Sequence, residues 1–533
     1  MKYLQNVYRW AQEHPLYSIG IFALLVYLPF LNKPFHMDDP FFIYAARAID
    51  LSPLHPFTST GFYDLWKDNF NSIAFYYFPG LIRAIGGENE ILMHSVYFIF
   101  FLTAALYLYS ICGKAGINSI VPALLFTASP IVLLTGTSTM SDFPFLTFIL
   151  VSFYHLVSYV EKNRAGDLAI SIVFLLAAVF TKYYAAVFIG LYALVFLMYG
   201  RRKELKYLAL SALVVMAALI IASFSSQVHI FYVLGKMGWI HSPIRKETLS
   251  FLTTLGGVSI FPLCFLLLLG KDKLKLILYV VSLFAAFIVS GMAALKPLHA
   301  AAMAVYSANA LLIFFIIGRR LYLSLREKNN VVALVSVWFF LYSAFLAFFP
   351  NIMAGRYVLP LLPPFMICLY LEIQEIYAAR KNPSLIVLFS TLILGLILNA
   401  ADSKLANIYR DFGKEASASI YVKQTGYLGH YAFDYYMQKN GFERFDIGKH
   451  KYLLMSKYGS AHIIYGGSPV LEQVKKNYAL IDTITKNDKY LVRVWDPTAF
   501  AGFHLNMYGY LPWGISSSPM ETFYLFARKD QHG

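Results

Sequence analysis

The chain is short of charge. Only 14% of its 533 residues are Asp, Glu, Lys or Arg while 59% are hydrophobic, where an ordinary soluble protein carries about 25% charged residues. That deficit excludes a soluble body and points to a membrane protein. Cysteine is scarce too. Cys112, Cys264 and Cys368 all fall in or beside apolar runs, so the polar C-terminal region has no disulfide framework. There is no P-loop and no Gly-rich dinucleotide fingerprint, which leaves ATP-driven or nicotinamide chemistry unsupported. No His pair has helical ligand spacing and no acidic loop resembles a cation cage, so no metal motif and no cofactor is read. Short-period repeats and low-complexity tracts are missing as well.

What is present is a succession of apolar runs. Thirteen predicted spans lie near residues 15–31, 91–112, 117–136, 141–160, 167–181, 183–199, 205–223, 249–269, 276–294, 299–318, 331–349, 355–375 and 383–400, several shorter than the roughly 20 residues of an upright helix. The first follows Lys2 and Arg9 without a small-residue cleavage site, so it reads as a retained signal anchor. With the N-terminus cytoplasmic, every inner loop is basic, from Lys114 through Arg201, Lys203, Lys273 and Arg319 to Arg380 and Lys381, as the positive-inside rule demands. This bias explains most of the +15 formal charge, and the high pI is therefore no nucleic-acid signal. Thirteen crossings leave the C-terminus outside.

The expected fold class is mainly α: a polytopic body over residues 1–400, including a long first outer loop at 32–90, followed by an outer soluble α+β domain at 401–533. In that last region the apolar runs stop. "KYLLMSKYG", "NYALIDTITKNDKYLVRVWD" and "METFYLFARK" have strand composition, the second with Lys-Asn-Asp-Lys as a hairpin turn, and "LANIYRDFGKEASASIYVKQ" reads as a helix.

Since cations are expected inside, those at the outer face are informative. Lys182 lies in "FTKYY", Lys236, Arg245 and Lys246 in "YVLGKMGWIHSPIRKE", Lys296 in "LKPLH" and Arg356 in "PNIMAGRYVLP"; the outer acids nearest the bilayer are Asp38, Asp39 and Asp142. Each has a plainer reading. Asp39 before Pro40 suits a helix N-cap and first position, which leaves Asp38 without a structural task and makes it the better catalytic candidate. Asp142 after Ser141 suits a helix first turn. Lys182 and Arg356 suit snorkelling to headgroups, the 236–246 cations an interfacial face, and Tyr183 and Tyr184 an aromatic belt. His36, His241 and His299 are outer histidines without ligand spacing.

Paired acids and cations at one face suit a substrate whose polar head is handled there while its tail stays in lipid. Sugar transfer from a polyprenyl phosphate to a hydroxyl needs a carboxylate to take the acceptor proton and a cation to stabilise the departing phosphate. At this point the motifs resemble the GT-C superfamily of polytopic glycosyltransferases, near its protein O-mannosyltransferase and aminoarabinose transferase branch. "HMDD" is similar to a His-x-Asp-Glu opening of the first outer loop, with Asp39 in place of Glu; "FYYFPGLIRAIG", "STMSDFPFLTFILVSFYHLV", "FTKYYAAVFIG" and "GRYVLPLLPPF" resemble later family segments in the same order. The resemblance implies Asp38 as base, Asp39 as its neighbour, Lys182 and Arg356 as donor-phosphate contacts, and inversion at the anomeric carbon. His36, Asp142, Tyr183, Lys236, Arg245, Lys296 and His299 are further site candidates. The tail segment "YLGHYAFDYYMQKNG" is similar to outer tails of bacterial relatives, which implies a bacterial inner membrane with the tail periplasmic. The expected partners are a polyprenyl-phosphate-sugar donor, a lipid, glycan or protein hydroxyl acceptor, and membrane lipid, with no nucleic acid. The rival readings are a multi-span secondary transporter, for which no related halves are seen, and a binding protein for lipid-linked substrates.

Overall fold

The computed structural model describes residues 9–51, 53, 73–226, 246–263, 273–292, 295–350, 352–377, 383–419, 421–460, 469–486 and 490–529. Within these residues six helices are long and apolar enough to cross a membrane, and four shorter apolar segments of 10–17 residues accompany them. The body is a helical bundle: α1 Pro15–Tyr27, α2 Asp39–Leu51, α3 Tyr77–Gly86, α4 Glu90–Lys114, α5 Val121–Ala128, α6 Pro130–Gly136, α7 Asp142–Lys162, α8 Ala165–Thr181, α9 Ala186–Met198, α10 Leu205–Ser226, α11 Lys246–Gly257, α12 Lys273–Met292, α13 Pro297–Arg326, α14 Asn330–Phe348, α15 Leu362–Tyr377 and α16 Pro383–Ser419. Its outward side chains stay apolar. Ile277, Val281 and Phe284 on α12 and Leu210 and Leu213 on α10 are exposed, the surface that lipid tails would cover.

Two predicted spans take another form. The run at 117–136 is two helices, α5 and α6, broken where Ser129 turns extended at ψ 137 before Pro130; the proline ring bars its predecessor from the helical region. The run at 355–375 opens as a 3-10 helix, Gly355–Leu361, before α15 begins. The last span does not stop at residue 400. α16, 37 residues long, continues unbroken into the polar region.

That region carries the strands. β1 Thr425–Leu428, β2 Glu443–Arg444, β3 Tyr452–Ser456, β4 Tyr478–Lys486 and β9 Glu521–Arg528 form one mixed sheet in the order β2-β1-β3-β9-β4, with α17 Tyr431–Lys439 between β1 and β2. β1 runs parallel to β2 and β3, whereas β9 is antiparallel to β3 and β4. The last three residues of the expected Lys-Asn-Asp-Lys turn lie outside the described residues. Among the described residues β4 pairs with β9, while β5 Val492–Arg493 pairs with β8 Gly514–Ile515 and β6 Trp495–Asp496 with β7 Ala501–Gly502. The eight-residue β9 offers β4 a full-length ladder that a two-residue β5 cannot match.

The first outer loop and the tail share one core. Phe35, Met37, Tyr44 and Tyr97 are buried with Tyr409, Tyr427, Tyr435 and Phe523. Polar rivets reinforce it: Tyr44 donates to Asp434 at 2.8 Å, Tyr435 to Glu88 at 3.1 Å, and Arg410 meets Glu90 at 2.8 Å. The tail is thus fastened directly over the loop that begins with the paired acids.

Candidate active site

Four charged residues far apart in sequence meet at one end of the bundle. Arg356 Nη2 donates to Asp38 Oδ2 at 2.6 Å, and Arg356 Nε lies 3.5 Å from Asp142 Oδ2. Lys182 Nζ donates to the other oxygen of Asp142. The result is a chain of alternating sign, Asp38–Arg356–Asp142–Lys182, contributed by the loop before α2, the 3-10 turn before α15, the first turn of α7 and the α8–α9 junction. Exposure is graded along it. The Asp38 side chain is 36% exposed, Arg356 14%, and Asp142 and Lys182 5% each. Asp38 is therefore the member that an incoming molecule meets.

Two tyrosines wall the cations. Lys182 Nζ lies 4.7 Å from the Tyr357 ring centre and 5.3 Å from that of Tyr184, and the Arg356 guanidinium is 5.4 Å from Tyr357. The rings cross edge to face at 5.4 Å. Aromatic faces attract cations while holding off water. The expected Tyr183 is the half-buried neighbour instead; on the tight 3-10 turn Tyr183–Ala185 it is Tyr184 that packs inward.

The tail holds Arg356 in place. Gly355 N–H donates to Phe503 O at 2.5 Å, Asn506 N–H donates to Met353 O at 3.0 Å, and the Asn506 side chain accepts from Met353 N–H at 3.3 Å. A Cβ on residue 355 would come within 2.5 Å of the Phe503 ring, so glycine is what lets these two backbones touch. Tyr431, at the start of α17, brings the tail to the same cluster: burial and the Asp38 charge both raise its hydroxyl pKa. Its φ of 61 is an uncommon conformation for a bulky residue, of the kind that clusters at functional sites.

The paired acids divide their work, though not through capping. α2 begins at Asp39, so Asp38 stands at the cap position, and its carboxylate is committed to Arg356. The Asp39 carboxylate is fully buried and accepts from His36 N–H at 2.9 Å and Thr139 N–H at 2.8 Å, which ties the acidic turn to the loop before α7. Burial raises its pKa to about 6 against the opposing pull of those N–H groups and Lys33. Met37, with φ 48, makes the bend that sends the two carboxylates apart.

Of the other candidates, His36 is buried behind the acidic turn beside Asp402. Lys296 is exposed at the start of α13, and His299 stacks on Phe500 at 5.5 Å; neither joins the Asp38 chain of contacts among the described residues. Lys236 and Arg245 lie outside the described residues. Sequence reading assigned no site role to Lys33, Asp402, His504 or Tyr357, and placed Tyr184 in the aromatic belt. Lys33 was visible as an outer cation in the first loop, and Tyr357 as the neighbour of Arg356.

Residues 71–226 match the family model described as dolichyl-phosphate-mannose-protein mannosyltransferase. No curated protein matches the chain. Among solved structures, ArnT from Cupriavidus metallidurans bound to undecaprenyl phosphate is similar at 13% identity and TM-score 0.44, over 89% of this chain and 96% of that one. The Archaeoglobus fulgidus oligosaccharyltransferase tethered with an acceptor peptide is similar at 12% identity and TM-score 0.45, over 89% of this chain and 73% of that one. Likeness of that degree carries no argument about activity. The matched segment contains Asp142 and Lys182, and over those residues the chain is similar to the mannosyltransferase family that the motifs resemble.

Proposed function

We propose that this protein is an inverting glycosyltransferase that moves a sugar from a polyprenyl-phosphate donor to a hydroxyl acceptor at the outer face of a bacterial inner membrane. The observation that carries the reading is the convergence of Asp38, Asp142, Lys182 and Arg356 from four separate segments, with Asp38 the most exposed. In the reaction Asp38 accepts the proton of the acceptor hydroxyl as its oxygen attacks the anomeric carbon. The bond from that carbon to the phosphate oxygen breaks, and its electron pair leaves on the phosphate. Lys182 and Arg356 stabilise the growing charge. Asp142 lies between the two cations and holds both in position while no phosphate is bound.

Arg356 has a second task. Paired with Asp38 it holds the carboxylate in place; drawn toward the phosphate, it leaves Asp38 free to take a proton. In this reading the N-terminus is cytoplasmic, residues 1–400 form the catalytic body and 401–533 a periplasmic cover. Purified protein supplied with polyprenyl phosphate sugars and envelope extract is expected to release free polyprenyl phosphate. Asp38→Asn is expected to stop that release; equal release by both proteins would remove Asp38 as base.

A further inference from the structure

Behind the acidic turn lies a second cluster that sugar transfer does not use. His36 Nε2 is 3.3 Å from Asp402 Oδ1, and His504 Nε2 is 2.6 Å from the same oxygen. The two imidazoles meet edge to face at 5.4 Å. All three residues are buried, and one ligand atom from each lies within 4.8 Å of the others. A tetrahedral zinc shell with bonds of about 2.0–2.2 Å sets its ligand atoms about 3.4 Å apart, so small side-chain shifts bring these atoms to coordinating positions.

Two further observations point to a missing ligand. His36 Nδ1 has no hydrogen-bond partner among the described residues and Nε2 has only the Asp402 carboxylate at 3.3 Å, although the side chain is 2% exposed; a buried ring nitrogen left without a partner carries a desolvation cost. Asp402 Oδ2 is meanwhile engaged by Lys33 Nζ at 2.7 Å, which leaves Oδ1 to face the two histidines. A basic group on the far oxygen is how outer-shell partners orient a ligating carboxylate.

We propose that His36, Asp402 and His504 bind a divalent transition metal, with zinc the best fit to two imidazoles and one carboxylate. The ligands come from the first outer loop, α16 and the tail, and His36 lies two residues before Asp38. The metal fastens the catalytic turn to both. No local spacing could have revealed it, because the three ligands are scattered across the chain and only the closed fold joins them.

The test uses full-length protein with any affinity tag removed, stripped by chelator and then supplied with zinc or cobalt. Elemental analysis is expected to find about one zinc per chain, and cobalt to give the visible ligand-field bands of a tetrahedral site. Zinc, but not magnesium, is expected to raise the thermal midpoint of the stripped wild type, a readout that needs no variant. Asp402→Asn and His504→Ala are expected to weaken zinc binding at least about tenfold. His504→Cys is expected to keep the metal and add a cobalt–thiolate charge-transfer band that assigns the site. Stripped wild type that takes up neither metal, or the variants binding zinc as wild type does, would overturn the proposal.

Discussion

Two buried charge clusters in this protein use the same ingredients to different ends. On α12, α13 and α15, Glu372 takes Lys275 at 2.5 Å, Arg319 at 2.5 Å and Arg320 at 2.6 Å, while Glu375 takes both arginines again at 2.9 and 2.8 Å. Every carboxylate there serves several cations, the Glu372 side chain is fully buried, and the partners ride on long helices. At the other cluster the groups sit on turns and helix ends, Lys182 and Arg356 have aromatic walls, and Asp38 is open to approach. Ion pairing alone does not mark a site. What sets the second cluster apart is an accessible carboxylate beside cations that a competing anion can capture.

The comparison can be broken by substitution. Asp38→Asn should lower transfer by about 10²–10⁴-fold, the usual worth of a general base, with insertion and folding unchanged; a smaller loss measured as polyprenyl phosphate release would move the base elsewhere. Removing a phosphate cation should rank next: Lys182→Met or Arg356→Met is expected to cost about 10²–10³-fold in kcat, and wild-type donor kinetics in both would end the clamp. Glu372→Gln should act in the opposite way. It strands buried cations and should destabilise the fold by about 3–5 kcal/mol, seen as a lower thermal midpoint, while the protein that survives keeps its specific activity.

A smaller effect tests the tail that covers the site. Asp434 is buried beneath Tyr44, Tyr427 and Arg444, and burial raises its pKa to about 6 from 3.8. A carboxyl with a raised folded-state pKa contributes stability below its unfolded pKa and loses it as pH rises through the folded one. Going from pH 7 to pH 5 should therefore strengthen the tail by about 1 kcal/mol. Hydrogen exchange of α17 and the adjoining strands would register the gain. Asp434→Asn should flatten that dependence.

Asp38, Asp142, Lys182 and Arg356 were legible in the sequence because a charge at the end of an apolar run, on the side where cations are not expected, is conspicuous wherever it falls. Their mutual contacts were not, since no spacing links residue 38 to 356. Tyr183 rather than Tyr184 stood out as the site candidate for a local reason: adjacent residues on a 3-10 turn face different ways, and composition does not say which faces inward. The β4–β9 ladder was not legible because turn chemistry acts over four residues, whereas β9 lies more than thirty residues on. The helix–strand contrast between body and tail was plain from the loss of apolar runs.

The composition boundary at residue 400 falls inside α16. At about 1.5 Å per residue that helix is a rod roughly 55 Å long, bearing Asp402, Tyr409 and Arg410 beyond the point where the apolar run ends. A cut placed there to obtain a soluble fragment would sever the rod, take away the partners of Lys33 and Glu90, and yield two incomplete pieces. The useful unit for expression, labelling or grafting is the whole chain, and an acceptor that swaps from one relative's tail to another's must carry its share of this helix with it.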